Sequence, residues 1–164
     1  VTDETAAGGK HSLKIVDAPG LRADFNPHFV LVPYHTGGVT RCSFDIRIEK
    51  GAFFCNEWRD DASPYHVGPS LSVQNGKLIA AGKEQIELPP GRWVHIEVTA
   101  GLGDASSGTW DLAVTLPGGG PQRFTNLPNG SREFKTLMWL GFVSNAREKV
   151  VCYLDNIRLA NDAP

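Results

Sequence analysis

At 164 residues the chain is long enough to bury one hydrophobic core without a metal or disulfide staple. A net charge of -2 argues against a nucleic-acid binder, which needs a clustered basic surface. No apolar run approaches the roughly 20 residues that cross a bilayer, and 18 glycines with 11 prolines point to a chain built from turns.

Along the chain, the strongest signal is alternation of apolar and polar residues, interrupted by turn residues. After an opening stretch (1–9) expected to fray, strands are predicted over 11–17, 28–34, 39–49, 53–59, 69–74, 77–80, 93–100, 109–116, 122–125, 137–144 and 150–159. Asn75-Gly76 reads as a two-residue hairpin turn, because both residues tolerate positive φ. Lys50-Gly51 is a weaker signal of the same kind. In the strand from Trp93, residues Val94, Ile96 and Val98 form an apolar face, while Trp93, His95 and Glu97 point the other way. Trp110, Leu112, Val114 and Leu116 share a second apolar face. No dozen-residue window carries a 3.6-residue apolar stripe, and 131–140 reads as loop then strand. Residues 160–164 are expected to fray.

Some eleven short strands with little helix imply an all-β fold, either two packed antiparallel sheets or a barrel, and the strands are long enough to give a sandwich. No linker or repeat divides the chain, so one domain is expected over 1–164, its ordered core about 9–159. The chain opens at Val1 without an initiator Met, and is therefore expected to be a module of a larger multidomain protein whose targeting segment lies out of view. Cys42, Cys55 and Cys152 each sit in an apolar run, the usual setting of a buried thiol. The odd count leaves at least one unpaired, and a Cys42–Cys152 bridge stays open if their strands are neighbours.

Several phrases carry a resemblance: GKHSL at 9–13, GRWVHIEV at 91–98, WLGFVS at 139–144 and YLDNIRL at 153–159. In order and spacing they resemble the concanavalin A-like and laminin-G-like jelly rolls of bacterial polysaccharide-degrading proteins. The resemblance implies a jelly-roll β-sandwich, a secreted, periplasmic or cell-surface location, and a lectin-like role, often as a non-catalytic module. It also implies a structural calcium ion. Asp155 resembles the position at which many sugar-binding sandwiches tie the last strand to the first, with Glu4 or Asp3 as a further carboxylate. Calcium would need six to eight oxygens.

Catalytic signatures are missing. The Glu-x-Asp-x-x-Glu strand of the retaining glucanases, which sets two carboxyls close together, does not occur, and neither do the alginate-lyase phrases. There is no Gly-x-Ser-x-Gly elbow, P-loop or His-Glu-x-x-His. Gly101 and Gly103 follow a strand but lead to another strand, against a dinucleotide site.

The best constellation is 56–66, with Glu57, Trp58, Arg59, Asp60, Tyr65 and His66. Sugars are held by rings beneath their C–H faces and by planar polar groups around their hydroxyls. Arginine adds a fork that would suit the carboxylate or sulfate of an acidic glycan. Trp58 has two readings, sugar platform or core, since it points opposite to Glu57 and Arg59. Trp93, His95 and Trp139 are further candidates, each with a structural alternative. The expected function is thus a non-catalytic carbohydrate-binding or accessory module whose partner is a polysaccharide or oligosaccharide. Two alternatives stand beside it: a glycoside-active enzyme similar to the 3-keto-glycoside hydrolases, using Glu57, Asp60 and His66, and a structural or adhesion spacer.

Overall fold

The computed structural model describes residues 1–162. Twelve strands run in chain order: β1 (Leu13–Val16), β2 (His28–Leu31), β3 (Gly38–Ile48), β4 (Phe53–Arg59), β5 (Val67–Gln74), β6 (Lys77–Ala80), β7 (Lys83–Glu87), β8 (Trp93–Leu102), β9 (Thr109–Thr115), β10 (Pro121–Pro128), β11 (Trp139–Ser144) and β12 (Val151–Asn161). The only helix among the described residues is a 3-10 turn at Gly103–Ala105. The strands form two six-stranded sheets, ordered β1-β12-β3-β8-β9-β10 and β2-β11-β4-β5-β6-β7, and every neighbouring pair is antiparallel.

Alternation places the core. From the first sheet, Cys42, Phe44, Ile46 and Ile48 on β3 and Val94, Ile96 and Val98 on β8 face inward. Phe54 and Trp58 on β4 and Leu140 and Phe142 on β11 meet them from the second. Phe44 joins the layers, edge-on to Phe142 at 5.2 Å and tilted against Phe54 at 6.1 Å. Each fully buried phenylalanine contributes about 1.5–3 kcal/mol. The inward Asn56 is accommodated by donating from Nδ2 to the Gly141 carbonyl at 3.0 Å.

The Asn75-Gly76 hairpin forms as expected, with φ of 51° and 78° between Gln74 and Lys77. Lys50-Gly51 does not close a hairpin between neighbours; it carries the chain from β3 in one sheet to β4 in the other. Strand β7 was not expected, because Lys83-Glu84-Gln85-Ile86-Glu87 holds a single apolar residue. It lies at a sheet edge, where charged side chains discourage pairing with another chain. The described ends are tied down: Thr2 pairs with Ser12, and Asp162 binds the Val39 amide and Arg41; the last two residues of the end expected to fray, 163–164, lie outside the described residues. A Cys42–Cys152 bridge is excluded by register. Cys152 lies opposite Ile48, six residues along β3 from Cys42, about 20 Å away, whereas a disulfide needs Cα atoms within about 7 Å. All three cysteines are free.

Candidate functional site

The inward run of Phe54, Asn56 and Trp58 turns Phe53, Cys55, Glu57 and Arg59 to the outer face of the second sheet. Trp58 is 0% exposed, so the platform reading fails for it: it is a core residue, and its Nε1 has no partner among the described residues. On neighbouring β11, Trp139 lies opposite Arg59 and Gly141 opposite Glu57. Gly141 has no side chain on the outer face, so the Trp139 indole lies back across it. A Cβ built there would stand 2.7 Å from Trp139 Cζ2 and closer still to two other ring atoms.

Arg59 reaches over this surface with Cζ 4.2 Å from the Trp139 ring and 4.2 Å from the Tyr65 ring. Two rings that close cannot share one face of so small a group, so the guanidinium lies between them. Its Nε donates to Glu57 Oε1, and Glu57 Oε2 accepts a long bond from Ser70 Oγ at 3.4 Å. The groove beside the stack has a volume of about 430 Å³, walled by Phe25, His28, Cys55 and Val143 besides Glu57, Arg59 and Trp139. Phe25 and Tyr65 are exposed. His28 donates from Nδ1 to the Phe25 carbonyl at 3.0 Å when neutral, leaving Nε2 as an acceptor. Burial, aided by the Glu57 charge, pushes the Cys55 thiol up to about 11, so it stays a thiol at neutral pH.

Tyr65 is held by a clasp. Asp60 accepts from the Ala62 amide at 3.1 Å, the His66 amide at 2.7 Å and His66 Nδ1 at 2.7 Å. Burial raises the Asp60 carboxyl, but the His66 and Ala62 bonds outweigh it and hold the group below its ordinary value. The Ser63–Pro64 bond in this loop is cis. Asp60 and His66 therefore shape the loop, and the structure brings Arg59, Tyr65 and Trp139 together around Glu57.

Trp93 and His95 lie elsewhere, on the outer face of the first sheet. There Trp93 neighbours Arg47 and Tyr153, and His95 Nδ1 bonds Asp45 at 2.7 Å. The amino-terminal segment straps this face: Arg47 donates to Thr5 Oγ1 at 2.8 Å, and Glu4 accepts from Lys14 and the Tyr153 hydroxyl. The residues expected to hold calcium do not fit it. Asp155 takes the backbone amides of Ala7, Gly8 and Asn156, while the Lys14 bond, with that of Tyr153, holds Glu4 as a low-pKa paired carboxylate. Asp3 joins neither, and among the described residues no group of three His, Cys, Asp or Glu is placed for a metal.

No protein-family model matches the sequence and no curated protein matches it. Solved structures do match the fold. Endo-β-1,4-glucuronan lyase from the fungus Trichoderma reesei superposes with a TM-score of 0.67 at 10% identity, over 97% of this chain and 84% of that one. The chain has the concanavalin A-like lectin and glucanase jelly roll. Two further concanavalin A-like structures agree. The PL-14 alginate lyase from Aplysia kurodai has a TM-score of 0.61 at 13% identity, over 94% of this chain and 84% of that one. A tetrameric galectin from the sponge Cinachyrella sp. has 0.54 at 10%, over 81% and 99%. Identities this low establish the jelly roll and no more.

Phe25, His28 and Asn145, which also borders the groove, were not found from sequence. Phe25 precedes β2, His28 opens it and Asn145 follows β11, all far from β4 in the chain, and the β2–β11–β4 pairing assembles them.

Proposed function

We propose that the groove between β4 and β11 binds a carbohydrate chain, and that the protein is a non-catalytic binding or accessory module of a polysaccharide-degrading system outside the cytoplasm. One observation carries this reading. Arg59 is fixed between Tyr65 and Trp139 with Glu57 on its Nε, beside an open groove. Exposed Phe25 and the rim of the Trp139 ring offer an apolar wall for the C–H face of a sugar, and the ion pair offers donors and acceptors whose positions are set before binding. That fold neighbours include two polysaccharide lyases and a galectin supports the same class of partner.

Affinity electrophoresis against a panel of plant, algal and microbial polysaccharides tests it. At least one polysaccharide is expected to retard the protein, and Trp139→Ala and Arg59→Ala are expected to abolish the retardation while folding normally. Retardation that survives both substitutions would place binding elsewhere, and retardation by none would refute the reading. The glycoside-active alternative is supported only by the Asp60–His66 pair, and Asp60 already accepts three hydrogen bonds within its own loop. Turnover of a glycoside or keto-glycoside, lost in Glu57→Gln, would favour it.

A further inference from the structure

We infer that the groove selects neutral, hydroxyl-rich sugars and rejects polyuronates; this rests on the carbohydrate-binding reading above and names its substrate class. An arginine in a sugar groove invites the opposite assignment, since a guanidinium fork suits a carboxylate. Here that fork is engaged on one side: its Nε is held by Glu57, and the Tyr65 and Trp139 rings each stand 4.2 Å from its Cζ. The edge bearing the two terminal nitrogens has no hydrogen-bond partner among the described residues.

Charge decides the class. The groove walls carry one guanidinium and one carboxylate, with no other Lys, Arg, Asp or Glu, so their formal charges cancel. Beyond Asn145 the surface continues into a second cavity of about 410 Å³ that carries Asp24, Arg147 and Glu148, one net negative charge. Asp24 and Arg147 are paired with each other. At the other end stand Asp60, bonded to His66, and Asp61. A polyuronate would bring one carboxylate per residue into a track that is neutral at its centre and negative at its ends. On the free edge of Arg59 it would also lie beside the Glu57 carboxylate already held on Nε. A neutral sugar meets neither repulsion. One hydroxyl donates to Glu57, its neighbour accepts from the Arg59 edge, and the C–H face rests on the apolar wall formed by exposed Phe25 and the rim of Trp139, so a pair of adjacent ring hydroxyls is the recognised element.

The test is a fluorescence and calorimetric titration of the intact chain with neutral oligosaccharides (galactan, xylan, mannan and β-glucan fragments) and with glucuronan and alginate oligosaccharides. Trp139→Ala assigns the optical signal to the groove. A neutral oligosaccharide is expected to bind at least about tenfold tighter than either polyuronate, with little dependence on salt. Glu57→Gln, which releases the Arg59 charge, is expected to narrow that preference by about tenfold or reverse it. Polyuronates binding the wild type more tightly, in a salt-sensitive and Trp139-dependent way, would overturn this inference while leaving the groove a carbohydrate site. Binding of no member of either set would overturn both.

Discussion

Gly141→Ala is the substitution whose sign the structure decides most sharply. By backbone preference alone it stabilises, since glycine inside a strand costs roughly 0.5–1 kcal/mol relative to alanine. Here the new methyl would stand 2.7 Å from Trp139 Cζ2, with two other ring atoms nearer, whereas carbon atoms rest about 3.5–4.0 Å apart. The indole, half-buried on an outer face, must lift by more than about 1 Å, and its 4.2 Å stack on Arg59 then opens. Such a contact is worth about 0.5–2 kcal/mol depending on desolvation, enough to cancel the backbone gain or exceed it. Chemical denaturation should therefore show a stability unchanged or lowered by about 1 kcal/mol, with Trp139 emission shifted to the red and polysaccharide retention reduced about tenfold. Gly68→Ala is the control. Its methyl would meet Phe134, 2.6 Å from Cζ and nearer to two other atoms, and Phe134 is fully buried. It cannot swing into solvent, so overpacking of about 1–3 kcal/mol or more is expected. A Gly141→Ala protein that is stabilised, with wild-type emission and retention, would refute the placement of Trp139 over Gly141.

Three further outcomes follow from the same geometry. Trp58→Ala should cost about 3–5 kcal/mol by urea denaturation, and Trp58→Phe less than half of that, because it removes a buried N–H that has no partner among the described residues. If Trp58→Phe folds stably but loses glycan retention, the core assignment is wrong. The lowered Asp60 carboxyl makes the 60–66 clasp acid-sensitive, and a depressed folded value means that its contribution is full above the ordinary value of 3.8 and is lost as pH falls below it. Hydrogen-exchange protection of the Ala62 and His66 amides, with intrinsic exchange corrected for, should hold from neutral pH to about pH 5 and drop below about pH 4; protection already lost between about pH 7 and pH 5 would contradict control by Asp60. Thiol titration without reductant should find three free thiols after denaturation and slow reaction before it, because burial pushes Cys42 and Cys152 up to about 12. A single thiol in the denatured chain would contradict the strand register.

The sheet pattern was open to reading because burial of one face forces period two on the sequence, and the outer set of Cys55, Glu57 and Arg59 already placed Trp58 inward once Arg59 was put at the surface. The same rule applied to WLGFVS puts Trp139 on the face of Gly141, a residue with no side chain to compete for the space. Strand β7 escaped because an edge strand is kept polar. The Lys50-Gly51 turn was visible as a turn, but which sheet the chain enters next depends on pairings distant in sequence. For the same reason Trp93 and His95 looked equal to Trp139, yet they belong to the outer face of the other sheet. Asp155 was in the right place between the last strand and the amino-terminal segment, but backbone amides fill the role expected of a cation.

A crystal soaked with neutral oligosaccharide tests the central claim most directly. The account predicts a sugar ring against Trp139, with hydroxyls bonded to Glu57 and to the outer edge of Arg59. Sugar bound instead beside Trp93 and His95 on the opposite sheet, with the β4–β11 groove holding only water, would contradict it.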